Sequence, residues 1–377
     1  MWERRQIGGI YGYGRSSERT GTFGCGLKGI NMAETTIKDI AKQCGVGIST
    51  VSRAINNHPD INPETRKMIM KVIEETGFIP NNSARNLKRT DAKCIAVLVK
   101  GITNPFFSNM IQIIEDETQR NRYALVLRHV EAHEDEVDVA LELEKEKRLR
   151  GIVFLGGRFT HSEEKIGKLN VPFIFSTIGV DISDQIGRVE FSNIAVDDKL
   201  ESKRMTEYLL ELGHRRIAFV TERQEESIGR RRIEGYREAF ADRGLEVREE
   251  LVCYVQDDLD HFSMENGYIT TRKLLESGEK VTAIYAASDS LAIGACRAVL
   301  EAGMRIPEDI SVAGYDGIEL GEYYNPKLTT IKQPVEEMAK NTIRLLLDVI
   351  AGRQEHQQII FPAELVMRES TAAVKES

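Results

Sequence analysis

Two rhythms of apolar residues divide the chain. Between Thr36 and Gly77 apolar positions recur every three or four residues, in short runs separated by turn residues. That spacing predicts helices. Thr36-x-x-Asp39 opens the first with capping-box chemistry, Ile37, Ile40 and Ala41 carry it to Cys44, and Gly45 stops it. A second helix is predicted from about Ile48 to Asn56, with Val51 and Ile55 inward. The third is framed by Asn62 as N-cap, Pro63 at its first position and Gly77 as its stop; its stripe is Met68, Ile69, Val72 and Ile73. Three such helices share one very small core. From Cys94 the rhythm changes. "CIAVLV", "ALVLRHV", "GIVFLG", "PFIFST", "RIAFVT", "AIYAAS" and "ISVAGY" are short apolar runs bounded by turn residues, and amphipathic stretches such as "FSNMIQIIEDETQRN", "MTEYLLELG" and "SLAIGACRAVLEAG" lie between several of them. This is βαβ repetition, hence an α/β body of parallel sheets covered by helices. About 280 residues of it predict two sheets rather than one. Ligands in such folds bind beyond the carboxyl ends of the strands, and two lobes leave a cleft between them.

Composition changes this picture little, but charge changes it more. Of 377 residues, 41% are hydrophobic and 29% charged, as in an ordinary soluble globular protein. The five cysteines are scattered without a C-x-x-C pair, which argues against a disulfide framework or zinc site and for a reducing compartment. No apolar run reaches membrane-spanning or signal-peptide length, so a cytoplasmic protein without a membrane partner is expected. The formal net charge is -8, yet residues 32–93 hold ten Lys/Arg against seven Asp/Glu, and residues 1–31 hold five against two. The acidity therefore belongs to the large C-terminal body. An acidic body repels phosphate and would confine a nucleic acid to the mildly basic end. Residues 1–31 are Gly-rich and without periodicity; they read as a disordered extension, or as a mis-assigned one with translation starting at Met32.

The second helix carries the candidate chemistry of the basic end. A helix-turn-helix needs a short polar helix whose first turn projects hydrogen-bonding groups into the major groove. Ile48, Ser49, Ser52, Arg53 and Asn56 form the outer face here. Arg53 can pair bidentately with guanine, Ser49 can bond a base edge, and Ile48 can meet a thymine methyl. Thr36, Thr50, Asn57 and Thr65 are candidate phosphate contacts. An amphipathic helix with a merely solvated face fits the same residues.

The sequence "TIKDIAKQCGVGISTVSRAINNHPDINPETRKMIMKVIEETGFIPNNSARNLK" resembles, without a gap, the DNA-binding module of the LacI/GalR family of bacterial transcription regulators. The resemblance continues through "TNPFFSNMIQIIE", "LLELGHRRIAFV", "GRRRIEGYREAF", "SDSLAIGACRAVLEAGMRIPEDISVAGYDGIELGEYYNPKLTTIKQP" and "LVMREST", covering residues 35 to about 370. It implies a DNA-binding regulator, in the main a repressor, acting as a homodimer on a palindromic double-stranded operator. It implies a helix-turn-helix domain at 32–78 and a hinge helix at 79–93. In that hinge Leu87, with Ala84 and Lys88 beside it, would wedge into the minor groove. The body, 94–377, would be periplasmic-binding-protein-like. Its first lobe would comprise about 94–190 and 330–352, its second about 191–329 and 353–377.

By the same resemblance the cleft takes a small effector, a sugar or sugar derivative, and no cofactor. Arg232 and Asp316 match the main polar ligands, Phe106, Phe107 and Phe262 the aromatic wall, and Thr177 and Ser288 further pocket positions. Several residues depart from the family's pattern: Asp197-Asp198 and Glu201-Ser202 at a helix start, Gly317 in place of a second Asp, Thr177 in place of a charged residue, and Gly47 in place of a capping Ser. The chain lacks the C-terminal leucine heptads of tetramerising members. A transporter's solute receptor would lack the helix-turn-helix. An enzyme would need a G-x-S-x-G elbow, a P-loop or H-E-x-x-H, none of which occurs. His214, at a helix end, fits a role capping carbonyls better than one as a base.

Overall fold

The computed structural model describes residues 35–55, 58, 60–76, 78, 93–161, 163–179, 189–223 and 227–374. They fall into two compact units divided at residue 89. The extension 1–31, residues 79–92 of the hinge segment, Asn56, Asn57, Ala84, Leu87 and Lys88 lie outside the described residues.

The first unit contains α1 (Ile37–Cys44), α2 (Ile48–Ile55) and α3 (Pro63–Thr76). The Asp39 carboxylate accepts the Thr36 backbone N–H at 2.9 Å and its hydroxyl at 2.5 Å, while Gly45 closes α1 at φ +65°. Asn62 Oδ1 accepts the Glu64 N–H at 2.8 Å and so caps α3. Ile40, Ala41, Val51, Ala54 and Ile69 are buried together, with Ile55, Val72 and Ile73 packed against them. Met68, expected in the stripe, is 42% exposed. So narrow a core touches only the Ile69–Val72–Ile73 line of α3, and Met68 is turned about 100° from Ile69.

The second unit begins with β1 (Cys94–Lys100), β2 (Ala124–Val130), β3 (Leu149–Leu155), β4 (Phe173–Ser176) and β5 (Ser192–Val196). There follow β6 (Ile217–Thr221), β7 (Val252–Tyr254), β8 (Ala283–Ala286), β9 (Ser311–Asp316), β10 (Thr329–Lys332), β11 (Gln358–Phe361) and β12 (Glu364–Val366). The helices are α4 (Pro105–Arg120), α5 (Glu136–Glu146), α6 (Glu163–Ile166), α7 (Asp198–Glu211), α8 (Ile228–Ala241), α9 (Met264–Glu276), α10 (Asp289–Glu301), α11 (Glu319–Tyr323) and α12 (Val335–Ile350).

Two six-stranded sheets result, ordered β11-β5-β4-β3-β1-β2 and β12-β10-β9-β8-β6-β7. Every pairing is parallel except β10 with β12. The described chain passes between the sheets after β5, after β10 and between β11 and β12. Residues 192–196 and 358–361 thus pair in the first sheet, where the lobe limits read from the sequence had put them in the second. A crossover falls where a strand leaves its partners, and β5 and β11 are held together by parallel pairing from Asn193–Gln358 to Val196–Phe361.

Helix contacts in the second sheet's layer are close because glycine permits it. A Cβ on Gly294 of α10 would lie 2.0 Å from the Met264 carbonyl oxygen of α9, and one on Gly267 of α9 would lie 2.2 Å from that of Leu291. Buried His214 pins the C-terminal segment: its Nδ1 and the Thr282 hydroxyl are 2.9 Å apart, and its Nε2 is 3.1 Å from the Ala372 carbonyl oxygen. Its role is structural, joining the loop after α7 to the residue before β8 and to the C-terminal segment. Among the described residues no helix is long and apolar enough to cross a membrane.

Candidate functional site

On α2, Val51 and Ala54 are buried, whereas Ile48, Ser49 and Arg53 are exposed and Thr50 and Ser52 half-buried. The helix therefore turns one apolar side inward and presents an exposed isoleucine, a serine and an arginine within two turns of its start. The Gly47 carbonyl accepts the N–H groups of Thr50 and Val51 at 2.9 and 3.2 Å, so backbone alone begins the helix. A serine Cβ would fit at Gly47, its nearest neighbour being Ser49 Oγ at 3.5 Å. Thr36 is exposed and Thr65 half-buried beside the α3 cap.

A cleft opens between the two sheets of the second unit, with about 1070 Å³ of empty space, open solvent at its mouth included. Its lining follows the carboxyl ends of strands: Lys100 at the end of β1 with Gly101, Thr103 and Asn104 after it, Gly156 to Arg158 after β3, Thr177 after β4, Glu222 after β6, Asp316 at the end of β9 and Gln333 after β10. Such ends are where an open α/β sheet presents loops and frees side chains.

Asp316 stands at the centre, 3% exposed. Asn104 Nδ2 donates to its Oδ2 at 3.0 Å from the first lobe, and Gln333 Nε2 donates to its Oδ1 at 2.9 Å from a crossover. Asn104 is itself fixed, because its Oδ1 accepts the Phe106 N–H at 3.1 Å as the N-cap of α4. Burial pushes the Asp316 carboxyl up to about 6, against the pull of Arg232 and the two amides.

Arg232, also buried, has its Nη2 3.7 Å from Asp316 Oδ1. The rest of its fork is committed: Nε donates to Asp198 Oδ1 at 2.9 Å, Nη1 donates to the Ala287 carbonyl, and the guanidinium lies 3.5 Å from the centroid of the Tyr315 ring. Burial opposes its charge, but the groups around it, Asp198 foremost, then Tyr315 and Asp316, more than offset that and raise its pKa. Asp198, one of the departures at the helix start, is thus Arg232's buried counter-ion, while Asp197 caps α7 by accepting the Leu200 N–H at 3.0 Å.

Phe106 and Phe107 both line the cleft, both are buried, and their rings meet edge-to-face at 5.3 Å. Phe262 faces them from the second lobe. Thr177 lines the cleft at φ +74°, its Oγ1 accepting the Gly156 N–H at 3.1 Å. Ser288 does not line it. Its Oγ is fully buried and accepts the Leu291 N–H at 3.2 Å, capping α10, because the side chain points along the helix axis and not into the cleft. At Gly317 (φ +75°) a Cβ would fall 2.7 Å from the Lys332 Cα, so no side chain reaches the cleft from there.

Sequence reasoning missed Asn104, Gln333, Lys100 and the His261–Glu222 pair, whose Nδ1 and Oε2 are 2.9 Å apart. Lys100 is held by Glu136 Oε2 at 3.3 Å and the Glu134 carbonyl at 2.7 Å. Asn-Pro before a helix was a capping signal for Asn104; Gln333 carried no local signal. Among the described residues no three His, Cys, Asp or Glu side chains converge as a metal would require.

Residues 36–81 match the model for bacterial regulatory proteins of the lacI family, and residues 206–371 that for the periplasmic binding protein-like domain. The HTH-type transcriptional regulator MalR of Clostridium butyricum is 36% identical over 336 residues, 89% of this chain and 98% of that protein. Among solved structures, a lac repressor dimer bound to operator and the anti-inducer ONPF superposes with TM-score 0.68 at 27% identity, covering 90% of this chain and 99% of that one. A complex of the transcriptional regulator CelR with cellobiose gives TM-score 0.64 at 29% identity, covering 89% and 99%. With the exposed α2 face on one unit and an interlobe cleft in the other, this chain belongs to the LacI family of bacterial regulatory proteins, DNA-binding regulators of transcription and not enzymes.

Proposed function

We propose that the chain is a repressor that binds a near-palindromic operator as a homodimer and releases or grips it according to a sugar or sugar derivative held in the cleft. The observation that carries this is Asp316: a buried carboxylate joined to Asn104 in one lobe and to Gln333 on a crossover, in a cleft that Phe106 and Phe107 line from the first lobe and Phe262 from the second. Charged acceptors that bond hydroxyls, beside aromatic faces that cover a ring's apolar side, are the chemistry a carbohydrate requires. The cellobiose seen in the CelR complex supports the class of ligand.

A ligand that binds one lobe arrangement better shifts the population toward it. In this reading residues 32–78 read DNA and 79–93 form the hinge that responds. Ile48, Ser49, Ser52, Arg53 and Asn56 enter the major groove, Thr36, Thr50, Asn57 and Thr65 meet phosphates, and Ala84, Leu87 and Lys88 meet the minor groove. The regulator acts in the cytoplasm and joins the nucleoid when operator-bound.

Thermal-shift measurements with cellobiose, maltose, ribose and hypoxanthine, repeated on Asp316→Ala, test the cleft. One carbohydrate should raise the melting temperature of the wild type and not of the variant. A compound that stabilises both equally refutes the assignment.

A further inference from the structure

Asp316 has a φ of +107°, in the region that favours glycine, so its surroundings must hold it there. β9, paired with β10 as far as Asp316–Lys332, fixes the peptide before it. The peptide after it then sets φ, and φ sets where Cβ points. Two bonds fix that second side. The Gln333 N–H donates to the Asp316 carbonyl at 3.2 Å, and the Ile318 N–H donates to Asp289 Oδ2 at 2.8 Å. Asp289 is the first residue of α10 and fully buried. Its other oxygen, Oδ1, accepts the Thr330 hydroxyl of β10 at 2.6 Å. The carboxylate reaches both donors only because β9 has a glycine beside it: a Cβ on Gly314 would lie 2.2 Å from Asp289 Oδ1.

We infer that Asp289 is a positioning residue for the effector: by gripping Ile318 it fixes the turn after β9 and so aims the Asp316 carboxylate into the cleft. Asp289 does not line the cleft, and it acts on a ligand only through Asp316. Asn104 and Gln333 hold the carboxylate end of Asp316, whereas Asp289 holds the backbone that carries it. Burial, and after it the Asp316 charge, pushes the Asp289 carboxyl up to about 8, which places the two acids within reach of one another's field. A side chain aimed before the ligand arrives spares binding the cost of ordering it. Without the grip, Asp316 can relax toward an ordinary negative φ, and a ligand must reverse that. The inference rests on the cleft being the effector site.

The test is calorimetric titration of the full chain with cellobiose, maltose and ribose, then of three variants with whichever sugar binds. Asp289→Leu keeps the size and loses both bonds. Asp289→Asn keeps both, its oxygen accepting from Ile318 and its amide donating to Thr330. Thr330→Val removes the second bond and leaves the grip on Ile318 intact. Asp289→Leu should bind the sugar about tenfold more weakly, and Asp289→Asn should restore affinity to within about twofold of wild type. Thr330→Val should lower the melting temperature yet stay within about twofold in affinity. If Asp289→Leu binds like the wild type, or Asp289→Asn fails to restore binding, the inference is wrong. If Thr330→Val loses affinity as Asp289→Leu does, Asp289 merely holds the lobe together, and the positioning role is equally refuted. A wild type that binds no sugar overturns the reading of the cleft, and this inference with it; a wild type that binds separates the two failures. Should Asp289→Leu not unfold cooperatively, Asp289→Ala, which also releases Ile318, is expected to give the same pattern.

Discussion

Replacing Arg232 by Met tests whether this cleft-lining residue is a structural cation. Met keeps the unbranched stem and deletes the guanidinium. What remains is Asp198, with its side chain 3% exposed and its Oδ1 stripped of the 2.9 Å partner, together with an unpartnered Ala287 carbonyl and a bare Tyr315 face. Removing one member of a buried ion pair costs about 3–5 kcal/mol, since the other charge stays desolvated. The ring contact, up to about 2 kcal/mol when desolvated, is lost with the same group and does not simply add. The expected loss is therefore about 3–5 kcal/mol, a large part of a typical folding free energy.

Asp198 has an escape. Burial already raises its carboxyl above the ordinary value, and without Arg232 it rises further. A carboxyl whose folded pKa is raised destabilises the fold as pH climbs from its unfolded value through the folded one. The loss should accordingly be smaller at pH 5.5 than at pH 8, and adding Asp198→Asn should recover much of it at pH 8. Urea unfolding followed by far-UV circular dichroism measures all three. A loss below about 1 kcal/mol at both pH values, or no recovery from Asp198→Asn, would refute the view of Arg232 as the support of a buried carboxylate.

Gly294→Ala should destabilise by at least 1–3 kcal/mol, roughly the cost of overpacking, because its Cβ meets the Met264 backbone oxygen at 2.0 Å and α9 and α10 must part; a melting temperature within a degree of wild type contradicts this. His261 accounts for a pH effect of the opposite chemical kind. Its bond to Glu222 raises its pKa above 6.5, so the stabilisation is full below about 6.5 and lost as pH rises through the raised value. Glu222→Gln should flatten the difference in thermal stability between pH 6 and 8.5 by no more than about 1 kcal/mol, and an unchanged slope rejects the pair as its source. Leu87→Ala should weaken operator binding and reduce DNA bending in a circular-permutation mobility assay; unchanged affinity and bend angle dispose of the wedge.

The sequence made the architecture readable wherever a signal was local. The apolar runs now in β1, β2, β3, β4, β6, β8 and β9 are long or bounded enough to stand out, whereas β7 and β12 have three residues each and β10 and β11 four. Length alone does not divide them, since β4 and β8 also have four residues; β11 takes its identity from its partner, and it pairs with β5 across more than 160 positions. The same division holds in the cleft. Motifs led to Arg232, Asp316 and the phenylalanines, since they lie in recognisable strings. Asn104 and Gln333 owe their roles to a carboxylate 212 and 17 positions away, and Asp198 to an arginine 34 positions on. Ser288 erred in the other direction: it sits in the right string but spends its hydroxyl on the helix it begins.

Backbone conformation converges on the same place as side-chain chemistry. Among the described residues three non-glycine positions have positive φ: Arg122, Thr177 and Asp316. Arg122 follows the end of α4, where a left-handed residue is ordinary. The other two line the cleft from opposite lobes, at φ +74° and +107°. Conformations of that kind cost about 1–3 kcal/mol each and persist where their surroundings over-determine them. Both are so held: Thr177 by its N–H to the Ile194 carbonyl and its hydroxyl to Gly156, Asp316 by two amides and the Gln333 N–H. Asp316 also carries the cost of a carboxyl pushed up to about 6. Strain and desolvation are concentrated where two lobes face one cavity, which is where a ligand could turn both into binding free energy by supplying the hydrogen bonds that these atoms are held in place to make.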